Sequence, residues 1–284
     1  MLSFELERPS TLAEAMKLLE REGAWAKNGG TDLLVWMKKH AIQPKLVVDL
    51  SLIEELHRIH FDPKEGLTVG ACVTLNDLAN FKEARELYPA LVEAAMSHSD
   101  HIIRNKATYV GNLCSSVPSG DMIPPTVVYQ GVLHLASHHG ERAVPIMEFI
   151  VGPRRNVLKP GEVVTRVTLP VPEGPSAGRY IKLGRRNALD LAQVGVACVV
   201  TDGPSGRRYR LSYGAVSPVP VRATKAEALL EGVKSPDGAL LERVAEEAKL
   251  SVNPITDVRA SREYRLSMVG ELTKRAIAEC LERL

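Results

Sequence analysis

Two stretches of this sequence carry residue types suited to holding an extended, anionic ligand. The first is Ala26-Lys27-Asn28-Gly29-Gly30-Thr31-Asp32-Leu33. Two glycines stand directly before a Thr and an Asp that suit the start of a helix. Helix-start N–H groups lack intrahelical acceptors and readily face an anion. The second runs from Ile103 to Pro125. Its Gly111, Ser115, Ser116, Ser119 and Gly120 let backbone approach a ligand closely. Thr108, Asn112, Ser115 and Ser116 add hydroxyl and amide groups, and Asp121 adds a carboxylate. Together the two stretches read as a clamp on one phosphate-bearing cofactor. Each also has a plainer reading. The first can be a simple turn capped by Thr31. The second can be an Ω-type loop packed by its own side chains. No Gly-Lys-Ser/Thr follows the paired glycines, and no Gly-x-Gly-x-x-Gly occurs, so neither a P-loop nor a Rossmann turn is present.

Other reactive residue types are scattered. Cys72, Cys114, Cys198 and Cys280 form no C-x-x-C pair, which argues against a zinc ribbon or a cysteine-held cluster. Reduced thiols in a cytoplasm are the expectation. His98 and His101 lie three apart, and His138-His139 fall in a turn; neither pair has the further ligands a metal needs. No nucleophile–base–acid triad stands out. The formal net charge of +2 and the sparse aromatics argue against a nucleic-acid surface. No apolar run approaches membrane-spanning length, and Met1-Leu2-Ser3-Phe4-Glu5 lacks a secretory leader pattern.

The elements that must position the two stretches follow from periodicity. Thr11 and Glu14 make a capping box ahead of a helix over 12–21. Residues 24–27 read as a strand entering the first stretch, and Leu33 to Lys39 as the helix leaving it. A buried strand covers 46–50. Residues 56–61 and 67–73 make a hairpin. Helices follow from Thr74 or Asn76 to Phe81 and over 89–97. Residues 103–125 are too rich in Gly, Pro, Ser and Asn for regular structure and are expected to form a long loop. Pro124-Pro125 open a helix to Tyr129. A second hairpin spans 132–136 and 142–145, and 163–169 is a strand. Pro170 to Gly178 is the best domain boundary. Beyond it come strands at 179–183, 194–201 and 209–216, then helices near 223–231, 237–249 and 262–283. The fold class is α+β.

With Gly29-Gly30-Thr31-Asp32-Leu33-Leu34, Ile103-Arg104-Asn105-x-Ala107-Thr108-x-x-Gly111-Asn112-Leu113, Pro118 and Asp121 in view, the chain resembles the FAD-binding medium subunit of the molybdenum hydroxylases. Tyr180-Ile181-Lys182-Leu183-Gly184-Arg185-Arg186 and Asp190-Leu191-Ala192 resemble that family's second domain. The resemblance covers the whole chain in order. It implies a vanillyl-alcohol-oxidase-like (PCMH-type) FAD domain over 1–172. A smaller CO-dehydrogenase-flavoprotein C-terminal domain would cover 173–284. It implies that residues 26–33 wrap the FAD pyrophosphate, that Thr108, Gly111 and Asn112 continue the cradle, and that Asp121 bonds a polar part of the cofactor. Val164 and Lys182 stand where the family makes further FAD contacts, and His98 near another. The implied role is electron transfer, with no catalytic residue and no metal in this chain. A large molybdopterin-binding subunit would oxidise substrate. A small iron–sulfur (2Fe-2S) subunit would deliver electrons, and NAD, a quinone or oxygen would accept them. The implied assembly is a dimer of heterotrimers. Two positions depart from the family. Val110 replaces the first of two glycines, and Asn28 replaces a small apolar residue. A self-sufficient flavin oxidase and a structural subunit with a decayed site are the alternatives.

Overall fold

A computed structural model describes residues 2–186, 189–204 and 206–284. The chain starts with β1 (Glu5–Glu7), α1 (Leu12–Leu19), β2 (Ala24–Lys27), α2 (Leu33–Lys38) and β3 (Leu46–Asp49). The three strands form a parallel sheet in the order β1-β3-β2. β3 is buried along its whole length, as a run of Leu-Val-Val demands. Thr11 caps α1 by accepting the Glu14 N–H. Leu33, Met37 and Val47 pack α2 onto β3.

β4 (Ile59–Asp62) and β5 (Gly66–Gly70) form a hairpin. Leu56 falls in a 3-10 turn, Glu54–His57, so the strand starts later than its apolar pattern predicts. α3 (Leu75–Asn80), α4 (Lys82–Leu87) and α5 (Pro89–Ser97) follow, with Thr74 closing a full capping box on α3. The stretch expected to be one irregular loop is largely helical. It contains α6 (His101–Arg104), α7 (Tyr109–Ser115) and the start of α8 (Ile123–Val128). Low propensity is overridden by burial of Tyr109, Val110 and Leu113 and by the Thr108 cap on the Gly111 N–H.

β6 (Val132–Ser137), β7 (Gly140–Pro145), α9 (Ile146–Phe149), β8 (Ile150–Gly152), β9 (Arg155–Asn156) and β10 (Val163–Leu169) complete the first half. Its main sheet is antiparallel, in the order β4-β5-β10-β6-β7. β8 and β9 form a separate two-stranded ribbon.

The second half opens with β11 (Ser176–Leu183), which begins inside the proline-rich stretch. β12 (Val194–Gly203), β13 (Gly206–Gly214) and β14 (Val221–Arg222) complete an antiparallel sheet in chain order. α10 (Thr224–Ala228), α11 (Gly238–Leu250) and α12 (Arg262–Arg283) cover one face. β12 alternates between two cores. Val196, Cys198 and Val200 face α11 and α12, while Ala197 and Val199 join the core of the first half with Tyr180. Glu93 of α5 ties the halves further. Its carboxylate accepts from the Tyr180 N–H (2.8 Å) and from Arg283 (2.7 Å), and pairs with Arg179 (2.9 Å). No helix among the described residues is long and apolar enough to cross a membrane.

One buried cation anchors α12 to the sheet. Arg265 is 2% exposed and donates to the carbonyls of Gln193 and Ala215 and to Asp257 Oδ1 (2.8 Å). Burial pushes the Asp257 carboxyl up. The N–H groups of Arg259 and Ala260 and the Arg265 guanidinium outweigh it, leaving a pKa of about 2 against the ordinary 3.8. A depressed carboxyl contributes stability above its unfolded value and loses it as pH falls through the folded one. Urea titrations stepped from pH 4 to pH 2 should therefore show a fall in stability that is smaller in Asp257→Asn, where only the other depressed carboxylates, Asp49 among them, still contribute. An equal fall in both proteins would remove Asp257 from the acid response.

Candidate functional site: a cofactor cavity between two loops

β2 delivers the chain into Asn28-Gly29-Gly30, and α2 takes it away. Asn28 Nδ2 donates to the Ala71 carbonyl, tying this turn to the end of β5. Lys27 Nζ bonds the Asn28 carbonyl (3.1 Å) and pairs with Asp49 (3.0 Å). Burial pushes Asp49 up, but the Lys27 ammonium and the Ser51 groups hold it below the ordinary range. Gly30 has φ +74°, a conformation that favours glycine. Asp32 takes the N-cap position of α2 without any side-chain cap bond, and Thr31 does not supply one either. Among the described residues, the N–H groups of Gly29, Gly30, Thr31 and Asp32 donate to no protein acceptor. Four free donors at one turn are the arrangement that a pyrophosphate fits.

The second stretch faces the first across a gap. Thr108 Oγ1 accepts the Gly111 N–H (3.0 Å), and Asn112 Oδ1 accepts the Met122 N–H (3.1 Å). Val110 lies within α7 and has no positive φ, so a glycine is not needed there. Between the loops lies a cavity of about 650 Å³, within the usual range for small-molecule and cofactor sites. Residues 26–33, His98, Thr108, Gly111, Asn112 and Val164 all line it. Asp121 and Lys182 do not; they stand behind His98. Asp121 is 3% exposed. It accepts from His98 Nδ1 (3.0 Å), Lys182 Nζ (2.9 Å) and Tyr180 Oη (3.0 Å). Lys182 also reaches the Ser97 carbonyl (3.3 Å). The second half of the chain thus holds the carboxylate that holds the wall histidine. His101 belongs elsewhere, against Asn76.

Sequence reasoning missed part of the wall. Trp25, Trp36, Arg154, Arg155 and Lys159 also line the cavity. Arg154 sits at the turn of the β8–β9 ribbon and Arg155 opens β9; the ribbon is too short to leave a periodic signal. Tyr180 was singled out only for its motif, and nothing local points it at Asp121.

The residues fit an FAD. The volume suits a large ligand, free N–H groups suit its diphosphate, and Gly29 leaves no side chain between the loops.

Comparison with known proteins agrees. Residues 2–172 match the family model described as the FAD binding domain in molybdopterin dehydrogenase. Residues 179–280 match the CO dehydrogenase flavoprotein C-terminal domain. The chain is 32% identical to the xanthine dehydrogenase FAD-binding subunit of Escherichia coli O157:H7, over 96% of this chain and 94% of that one. It is 30% identical to the carbon monoxide dehydrogenase medium chain of Hydrogenophaga pseudoflava, covering 96% of each. The solved structure of reconstituted CO dehydrogenase from Oligotropha carboxidovorans superposes with a TM-score of 0.94 at 27% identity, over the full length of both chains. The free donors, the cavity and these matches converge: the chain belongs to the FAD-binding medium subunits of the molybdenum hydroxylases, and is an oxidoreductase subunit whose cofactor is FAD.

Proposed function

We propose that this chain is the electron-transfer subunit of a molybdenum hydroxylase. It receives electrons from a small iron–sulfur (2Fe-2S) subunit and passes them to an external acceptor such as NAD, a quinone or oxygen. A large molybdopterin-binding subunit oxidises the substrate, and the assembly is a dimer of heterotrimers in the cytoplasm. The single observation that carries this reading is the cavity lined by unpaired N–H groups. Bound FAD supplies the redox chemistry.

The chain's own residues bind and orient. Gly29, Gly30, Thr31 and Asp32 donate N–H groups to the diphosphate, with Ala26, Lys27, Asn28 and Leu33 shaping that wall. Thr108, Gly111 and Asn112 form the facing wall, and Val164 adds apolar surface. His98 holds a proton on Nδ1 and donates it to Asp121, leaving Nε2 for the cofactor. Lys182 and Tyr180 fix the Asp121 carboxylate, so the imidazole cannot swing freely. Residues 1–172 act as the FAD domain, and 173–284 brace it from outside through this cluster.

The first experiment is the visible spectrum of the purified chain, taken before and after adding FAD and desalting. Flavin bands retained at one per chain are expected. A chain that retains no flavin alone or with its partner subunits would overturn the reading.

A further inference from the structure

β13 presents two arginines to the first half of the chain. Arg208 and Arg210 lie two apart, opposite Thr201 and Val199 of β12 in the sheet register. Residues two apart share a face, and Val199 packs into the core of the first half. Both arginines line a small cavity whose other walls include Tyr129, Gln130 and the linker from Pro170 to Glu173. It shares no lining residue with the cofactor cavity. We propose that this junction cavity is a binding site for one small oxyanion of the phosphate or sulfate class, gripped by the Arg210 guanidinium.

Arg210 is a cation with no counter-charge of its own. Among the described residues its guanidinium makes no hydrogen bond and no ion pair. The two carboxylates that act on it are committed elsewhere. Glu173 pairs with Arg208 (2.9 Å). Glu227 pairs with Arg222 (2.8 Å) and accepts the Leu211 N–H (2.8 Å). The group of Arg208, Arg210 and Arg222 against Glu173 and Glu227 thus holds one more cation than anions. Burial and the Arg222 guanidinium push the Arg210 pKa down despite those carboxylates. A charge withdrawn from water is ordinarily paired; here a planar fork of N–H donors borders a cavity instead. Thr201, 7% exposed, lines the same cavity, and its hydroxyl makes no hydrogen bond among the described residues. The linker wall is held in place. Tyr88 Oη donates to the Leu169 and Pro170 carbonyls (3.2 and 3.0 Å), and Pro170 and Pro172 have fixed φ. A volume of about 50 Å³ admits a few water-sized groups, too little for a nucleotide and suited to a single tetrahedral anion. A guanidinium fork matches that geometry with two parallel N–H bonds. Bound there, the anion joins β13 of the second half to the linker and the end of α8.

Thermal unfolding of the full chain in excess FAD tests this, with inorganic phosphate compared against chloride at equal ionic strength. Millimolar phosphate should raise the wild-type Tm by about 2–4 °C. Arg210→Gln should lose that rise. Its Tm in chloride should equal or exceed the wild-type value, because an uncompensated cation has been removed, and this also shows that the variant is folded. Arg210→Lys keeps the charge without the fork and should keep part of the rise. Phosphate also strengthens burial in any protein, but that effect is common to wild type and variant, so their difference is the readout. An equal rise in Arg210→Gln, or none in the wild type, would overturn the site. The phosphorus-31 line of inorganic phosphate reads the site without a variant. The wild-type chain should broaden it and sulfate should sharpen it again; an unbroadened line would also overturn the site. A chain that retains no FAD would remove the FAD reading and leave this comparison intact, since phosphate at the empty donors of residues 29–32 acts on both proteins alike.

Discussion

Gly29→Ala should yield a protein that comes off a desalting column colourless after incubation with FAD, with affinity lowered at least about 100-fold. The reason is space. A Cβ at Gly29 would lie 1.7 Å from the Lys106 carbonyl oxygen, 2.6 Å from its carbon and 3.2 Å from Ala107 Cα. All three are backbone atoms, so no side chain can swing away. The strand of chain that would have to retreat is itself pinned. The Ala107 carbonyl accepts the Leu75 N–H (2.9 Å), and Thr108 bridges Thr74. Retreat would therefore carry Thr108, Gly111 and Asn112 outward and widen the cavity from the side facing the diphosphate. Overpacking of this kind costs about 1–3 kcal/mol, which should lower Tm by about 3–10 °C. Gly238→Ala is the matched control. Gly238 meets nothing within 4 Å and opens α11; its alanine variant should stay yellow. Full FAD retention by Gly29→Ala would mean that the two loops are not the clamp.

How much of this was readable in the sequence depends on the range of the interaction that decides each feature. The βαβ start, the hairpins and α12 are set by local periodicity and caps, and they are found close to where the pattern puts them. Gly29-Gly30 signals a turn locally, but the reason Gly29 must be glycine lies 77 residues on, at Lys106. The helices α6 and α7 were missed because their propensity is poor. Burial of Tyr109 and Leu113 in the first core decides α7 instead, and α6 is opened by Asp100, whose side chain accepts the Ile103 N–H. Val110 looked like a defect only on the premise that the turn needs a positive φ, and the helix removes that premise. Asp121 carries the clearest lesson. Its residue type marked it as a ligand contact, yet its three partners come from positions 98, 180 and 182. No spacing rule brings those together; the sheet that serves two cores does.

Asp121→Asn should be the most destabilising conservative change in the chain. The carboxylate is almost fully buried and shares its Oδ2 between Lys182 Nζ and His98 Nδ1, while Oδ1 accepts from Tyr180. Lys182 is itself only 12% exposed at its side chain. Replacing the carboxylate with an amide keeps the shape and removes the charge. It also turns an NH₂ toward donors, whichever way the amide lies. Removing one member of a buried charged pair costs about 3–5 kcal/mol, because the other is left uncompensated. Scanning calorimetry should show Tm lowered by about 6–20 °C, and FAD binding weakened because His98 loses its holder. The double variant Asp121→Asn/Lys182→Met distinguishes charge from packing. Deleting the stranded ammonium should restore part of the lost Tm, a non-additivity expected of residues in one network. Additive losses would mean that Lys182 and Asp121 act independently. A wild-type Tm for Asp121→Asn would mean that the cluster braces neither the domain interface nor the cavity wall.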